Sequence, residues 1–486
     1  MIHGNHTKHP KLNSIKNIIS MMLRLEAILM LVSTGVALVL DSGDVIPLLE
    51  STAITFAVGF ILSSRTPELT IDKKAGYISV ALTWLIIPVF GSLPFLLGGY
   101  IPSITDAIFE TVSGFTTTGA TILDNIESLP RGILFWRSII QWIGGIGIVV
   151  VVISLIQIEG GGATSLFAAE IVGPDKDKIT PSTRKTGSIL VRIYVLLTLI
   201  CALAYWAGGM GIYDAVCHSF TTLSSGGFST KDASAAAFPP LIQYLMILFM
   251  LPAGTNFILM YYVFKGKFSK LRQSDEFKTY IIIIITFSLL IAAFIYSPQA
   301  GMERTLRDAF FQVISIMTTT GYTTANYGFW GTPSLILLFV LMFVGAMSGS
   351  TSGGVKIVRT LVLFKNARSL LKNTIHNQAL MPIKLNKHNI PNTIIYNVLA
   401  VFLLYVAIFV VAILSLSLCG LRIEEAMEGT LSCLGCVGPI YVQNETLFTF
   451  ATFPDAAKWI FGALMYLGRL EIVSVFVVFL PAFWKK

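Results

Sequence analysis

The chain has 486 residues, of which 54% are hydrophobic and only 12% charged, and its mean hydropathy is +0.76. Soluble domains carry about 25% charged residues, so the three soluble domains that this length would otherwise suggest are excluded in favour of an integral membrane protein. The formal net charge of +8 reads as cytoplasmic-loop charge rather than nucleic-acid binding, because the basic residues fall between apolar spans.

The first residues, MIHGNHTKHPKLNSIKN, are polar and basic and read as a cytoplasmic tail without a cleaved signal. A membrane helix needs about 20 apolar residues. Candidate spans run over 17–40, 45–64, 77–99, 133–157, 188–208, 240–264, 279–297, 333–348, 391–419 and 457–481. Between them lie four apolar segments, 106–115, 214–223, 308–317 and 425–434, too short to cross a bilayer and read as re-entrant helices. Alternate loops hold 24 and 5 basic residues, so the rich set and both termini are expected in the cytoplasm. The short segments then enter and leave from the outer face.

Stacked on one glycine, the short segments become a fourfold repeat: DAIFETVSGFTTTGA, DAVCHSFTTLSSGGF, DAFFQVISIMTTTGY and EAMEGTLSCLGCVGP. Thirteen residues before Gly119, Gly227, Gly321 and Gly438 stand Asp106, Asp214, Asp308 and Glu425, each followed by alanine. Six residues before them stand Ser113, Thr221, Ser315 and Ser432. An acid in the first turn complements the positive end of a helix dipole and reads as a structural cap rather than an ion ligand. The far end of the helix would aim at the next residues, whose backbone carbonyls can replace a cation's hydration shell. Glycine permits the backbone angles such a ring needs.

These loops, together with WIGGIGI (142–148), AGTNFILMYY (253–262), GAMSGSTSGGVK (345–356) and GRLEI (468–472), make the whole chain resemble the Trk/Ktr/HKT superfamily of potassium transporters, nearest its TrkH branch. The resemblance implies an all-α polytopic membrane protein with four membrane–pore-loop–membrane units around one pore and two extra N-terminal helices. Expected divisions are 1–76 for the tail and accessory helices, then repeats over 77–157, 187–265, 278–370 and 390–481. Potassium would shed water at Thr117, Thr118 and Gly119; Ser225, Gly226 and Gly227; Thr319, Thr320 and Gly321; and Cys436, Val437 and Gly438. Cys436 departs from the family's more usual asparagine, which bears on ion preference at the fourth side.

The stretch 345–354 holds four glycines and four hydroxyl residues, which break a helix. The apolar run before it is too short to have left the membrane. Gly345, Ser348, Gly349, Ser350, Thr351, Gly353 and Gly354 are therefore expected to form an intramembrane gate loop. Arg469, in the middle of the last span, costs at least ~2.5 kcal/mol at that depth and should face the pore and hydrogen-bond that loop. Other motifs carry less. Cys433-x-x-Cys436 has no second pair, His218 reads as a packed side chain, and the GGG at 160–162 and the segment Gly173–Gly187 lack nucleotide-site context. Asp124 and Glu127 could enrich cations at the outer mouth. The five cysteines imply no disulfide framework.

The expectation is a non-enzymatic potassium uptake protein of the bacterial inner membrane, channel or symporter, without a cofactor and with potassium as substrate. The resemblance implies a homodimer and a cytoplasmic nucleotide-binding regulatory subunit of the TrkA type; membrane lipid is the remaining partner. A secondary transporter of an organic solute is the alternative. It would be expected to show paired inverted halves. A membrane enzyme is weaker, since the six histidines are scattered.

Overall fold

A computed structural model describes residues 12–63, 73–156, 183–375, 382–440 and 449–484. The tail at 1–11, the GGG run at 160–162, residues 173–182 and the topology charges Lys8, Lys11, Arg65, Lys176, Lys178, Lys485 and Lys486 lie outside the described residues. The fold is all-α, with one short antiparallel hairpin pairing Lys384 with Asn389 and Leu385 with His388. Helices long and apolar enough to cross a membrane include Leu12–Val39, Lys74–Leu97, Thr186–Ala207, Asp275–Ile295 and Asn392–Leu418.

Three spans that read as continuous in the sequence are broken. Pro240–Ala253 turns through 106° into Phe257–Phe264. Pro252 lacks a backbone donor, and the Asn256 side chain restarts the helix by accepting from the Ile258 amide at 2.8 Å. The run 333–348 is helical only over Thr332–Val344, because Gly345 takes φ +67°. The last span stops at Arg469 and resumes at Ile472; between them Glu471 adopts φ 59°, which no right-handed helix contains. Arg469 is thus at a helix end, not in mid-span.

The chain divides into two compact units. The first holds residues 12–112, 128–137 and 470–484. Here Leu12–Val39 and Val45–Ile61 lie close together, Ser20 donating to the Gly59 carbonyl at 2.7 Å. Ile15, Ile19, Leu23, Ala75 and Ile78 form a core covered by Val478 and Phe483. Arg137 and Glu110 form a fully buried ion pair at 2.7 Å. The second unit holds residues 113–127 and 138–469, and with them all four glycine loops and the stretch 345–354.

Candidate functional site

The short helices are Ile104–Phe115, Ile212–Leu223, Met302–Met317 and Ile423–Gly435, and all four end alike. A chain leaving a helix commonly turns through one left-handed residue, whose following amide bonds back to a carbonyl five residues earlier. That residue is usually glycine. Here it is Thr117 (φ 53°), Ser225 (56°), Thr319 (57°) and Cys436 (53°), although an L side chain in this region costs about 1–2 kcal/mol. The closing bonds run from Thr118 to Ser113 (2.9 Å), Gly226 to Thr221 (2.9 Å), Thr320 to Ser315 (2.8 Å) and Val437 to Ser432 (2.8 Å). The hydroxyl residues six before each glycine therefore serve first through their carbonyls.

Two residues after each turn, Gly119, Gly227, Gly321 and Gly438 take φ of 80°, 74°, 81° and 106°. Their packing is cyclic. A Cβ on Gly119 would strike the Gly226 carbonyl oxygen, one on Gly227 that of Thr320, one on Gly321 that of Val437, and one on Gly438 that of Thr118. Each glycine thus lies against the next loop, and the fourth closes on the first. Any side chain there would wedge the ring open, and the positive φ would be strained as well. The acids stand outside this ring. Asp214 accepts from Thr230 at 2.6 Å and Asp308 from Thr324 at 2.9 Å, tying each loop's exit to its own helix. Glu425 caps its helix by accepting the Arg422 amide at 2.9 Å.

The stretch 345–354 packs directly on the ring. Thr351 Oγ1 meets Ser225 Oγ at 2.8 Å and donates to the Leu223 and Ala253 carbonyls, at 3.1 and 3.2 Å. The Gly353 amide donates to Thr319 Oγ1 at 2.9 Å, and a Cβ on Gly353 would meet Cys436 Cβ and the Gly435 carbonyl. Arg469, 3% exposed, donates from Nη1 to the Thr351 carbonyl at 2.6 Å and from Nη2 to the Gly144 carbonyl at 3.0 Å. Gly144 in turn lies against Phe115 and Thr117. The left-handed residues of repeats two, three and four touch the stretch itself, and the first is reached through Arg469. Ser348 and Ser350 are buried; Ser350 Oγ bonds the Met347 carbonyl at 2.6 Å. Gly345, Gly349 and Gly354 all take positive φ, which lets the stretch double back on itself.

Several residues that hold this arrangement were given no role by the sequence, although Asn256 and Lys356 fall within the quoted motifs AGTNFILMYY and GAMSGSTSGGVK. Asn256 donates to the Ser348 carbonyl at 2.7 Å, so the stretch docks into the break of the second repeat. Glu276 accepts the Ser348 amide at 2.7 Å. Lys356 Nζ reaches the Ser352 carbonyl at 2.6 Å. Gln141, fully buried, bonds the second loop; it stands immediately before WIGGIGI, and only its polarity in an apolar run could have marked it. His218 is packed, its ring nitrogens on the Asp214 carbonyl and Ser229 Oγ at 2.8 and 3.0 Å. Asp124 accepts from Thr449, and Glu127 lies 3.7 Å from Lys231, so both outer acids tie exposed segments together. Cys433 and Cys436 are both free and buried.

Four helix ends meeting in a closed backbone ring, within an all-α fold rich in membrane-length helices, define a polytopic membrane protein built of four like units. The chain belongs to the TrkH family of cation transport proteins, whose family model matches residues 48–486. It is 36% identical to the Trk system potassium uptake protein TrkH of Salmonella typhimurium, over 97% of this chain and 99% of that protein. The same-named protein of Escherichia coli K12 is 35% identical over the same shares. The crystal structure of the potassium transporter TrkH from Vibrio parahaemolyticus superimposes with a TM-score of 0.89 at 32% identity, covering 98% of this chain and 100% of that one.

Proposed function

We propose that this protein takes up potassium ions through the four-loop ring, which acts as its selectivity filter, and that the stretch 345–354 is an intramembrane gate latched by Arg469. The observation that carries the reading is the cyclic packing of Gly119, Gly227, Gly321 and Gly438 on the carbonyls of neighbouring loops. A ring of this kind offers an ion equivalent oxygens on four sides. Non-helical backbone is tolerated at membrane depth only where it lines a watery path or is covered by protein. The cytoplasmic membrane potential would drive entry, worth ~2.3 kcal/mol per charge per 100 mV. Its guanidinium makes Arg469 both the latch of the gate and a barrier to cations.

In this reading the protein sits in the bacterial inner membrane with both ends in the cytoplasm, as a homodimer. A nucleotide-binding subunit of the TrkA type docks on its basic cytoplasmic loops and moves the gate. Family likeness and the loop charges support these points; co-purification with such a subunit and the mass of the purified complex test them.

The deciding experiment is cation flux in proteoliposomes under a potassium gradient, with rubidium, sodium and lithium as competitors, repeated with Gly119→Ser. Flux of potassium and rubidium that degrades toward sodium in the variant is expected. Absence of alkali-cation flux, even after deletion of Gly349–Gly353, would overturn the reading in favour of an organic solute.

A further inference from the structure

The four loops do not hold themselves in the same way. In the first and third, the residue before the ring glycine is a threonine tied to a second threonine, Thr118 to Thr116 and Thr320 to Thr318, each at 2.8 Å. In the fourth, Val437 fills that place and the Gly438 amide donates to Ser432 Oγ at 3.0 Å. The second loop has Gly226 there, with no side chain to anchor it. Two consecutive glycines make it the softest quarter of the ring by sequence.

Its anchor comes from another repeat. Gln141, on the helix Arg131–Ile156, is fully buried. Its Nε2 donates to the Gly226 carbonyl at 2.7 Å, and its Oε1 accepts the Phe228 amide at 3.0 Å. The two bonds bracket Gly227, one of the four ring glycines. They also fix the amide's orientation, since one partner only accepts and the other only donates. The carbonyl held in this way is the one against which Gly119 packs. Gly226 and Gln141 are moreover a fitted pair, because a Cβ on Gly226 would run into the Gln141 Cδ and Oε1 atoms. At the same offset beyond their ring glycines, the other repeats carry Phe249, Phe343 and Ile460. None can make these bonds.

We infer that Gln141 is a specificity-determining positioning residue, which holds the second side of the ring at the spacing that the other loops reach with their own side chains. The inference rests on the potassium-filter reading above. Without the amide, the Gly226 carbonyl is free to close on a smaller ion, so sodium gains relative to potassium. A residue that merely filled space would instead lower the flux of all cations together.

The test is rubidium flux in proteoliposomes with sodium as competitor. Gln141→Leu keeps the volume and removes both bonds. Rubidium should still cross, with rubidium-over-sodium discrimination reduced about tenfold, the scale of an abandoned buried hydrogen bond. Unchanged discrimination, at whatever flux, overturns the inference. If Gln141→Leu does not assemble, Gly226→Ala alone and with Gln141→Ala ask the same question. The single change displaces the glutamine, and the double makes room for the methyl group. Discrimination restored in the double, which lacks both bonds and only relieves the clash, also overturns it. Wild-type protein that passes neither potassium nor rubidium would sink the filter reading itself and this inference with it, a result distinguishable from a selective wild type beside a selective Gln141→Leu.

Discussion

The ring and the segments that follow it obey opposite rules. At the ring the four repeats agree closely in backbone: one left-handed residue, one closing bond five residues back, and one positive-φ glycine lying on the next loop. Beyond it they diverge. The first repeat continues as the uninterrupted helix Arg131–Ile156, the second bends at 254–256, the third dissolves into 345–354, and the fourth stops at Arg469. If the ring is the ion filter proposed above, a bound ion needs oxygens on every side, and departures at the ring are tolerated least. The later segments meet no such demand, and three different breaks supply what holds the loop at 345–354: the Asn256 cap, the loop's own glycines, and the Arg469 guanidinium.

The sharpest way to break this contrast is to place a methyl group on the ring. Alanine at Gly321 would strike the Val437 carbonyl and carry about 1–2 kcal/mol of left-handed strain. Rubidium flux should fall sharply and discrimination against sodium be lost, to the same degree with alanine at Gly119 or Gly227. Clearly unequal losses would show that the quarters are not equivalent.

Arg469→Gln should act in the opposite direction. It removes the charge and the paired bonds to Thr351 and Gly144, and charge-assisted bonds are worth about 1.5–3 kcal/mol each. Flux should rise about tenfold as the loop is released. A fall in flux in a folded variant would make the arginine part of the conducting ring rather than of the loop's latch.

Thr351→Val is a milder version of the same experiment. It removes the hydroxyl that joins Ser225, Leu223 and Ala253 but leaves the carbonyl that Arg469 holds. Flux should rise about threefold, in line with about 0.5–1.5 kcal/mol for a neutral hydrogen bond. The smallest effect is expected from Cys436→Thr, which makes the fourth turn resemble the first and third. Because backbone carbonyls rather than side chains would face the ion, potassium-over-sodium selectivity should move less than about twofold. A larger shift would put the Cys436 side chain into the ion's surroundings.

Much of the repeat was legible before any coordinates. The acid, hydroxyl and glycine spacings are local, and three short helices begin two residues before their acid, but the third begins at Met302, so Asp308 stands in its second turn and Glu303 takes the first. The special turn at Thr117, Ser225, Thr319 and Cys436 was not legible, because a positive φ at a residue with a side chain contradicts its local preference. It survives only where surrounding bonds impose it. The interruption of the last span was hidden for a similar reason: GRLEI carries no proline, and only the positive φ of Glu471 marks the break. Gln141 and Thr351 find their partners 85 and 126 residues away, in Gly226 and Ser225, distances over which residue spacing carries no information.

The sequence by itself determined that the chain is a multi-pass membrane protein and that one acid, hydroxyl and glycine spacing recurs four times along it. Composition, hydropathy and local spacing are properties of short windows, and they depend on the solvent rather than on the partner. Tertiary structure alone decided that the glycines pack in a cycle, that the loop at 345–354 lies against three of the four turns, and that Arg469 reaches it from a broken helix. Those outcomes depend on which distant backbone fills each space. In a close-packed interior that is set by the whole arrangement at once.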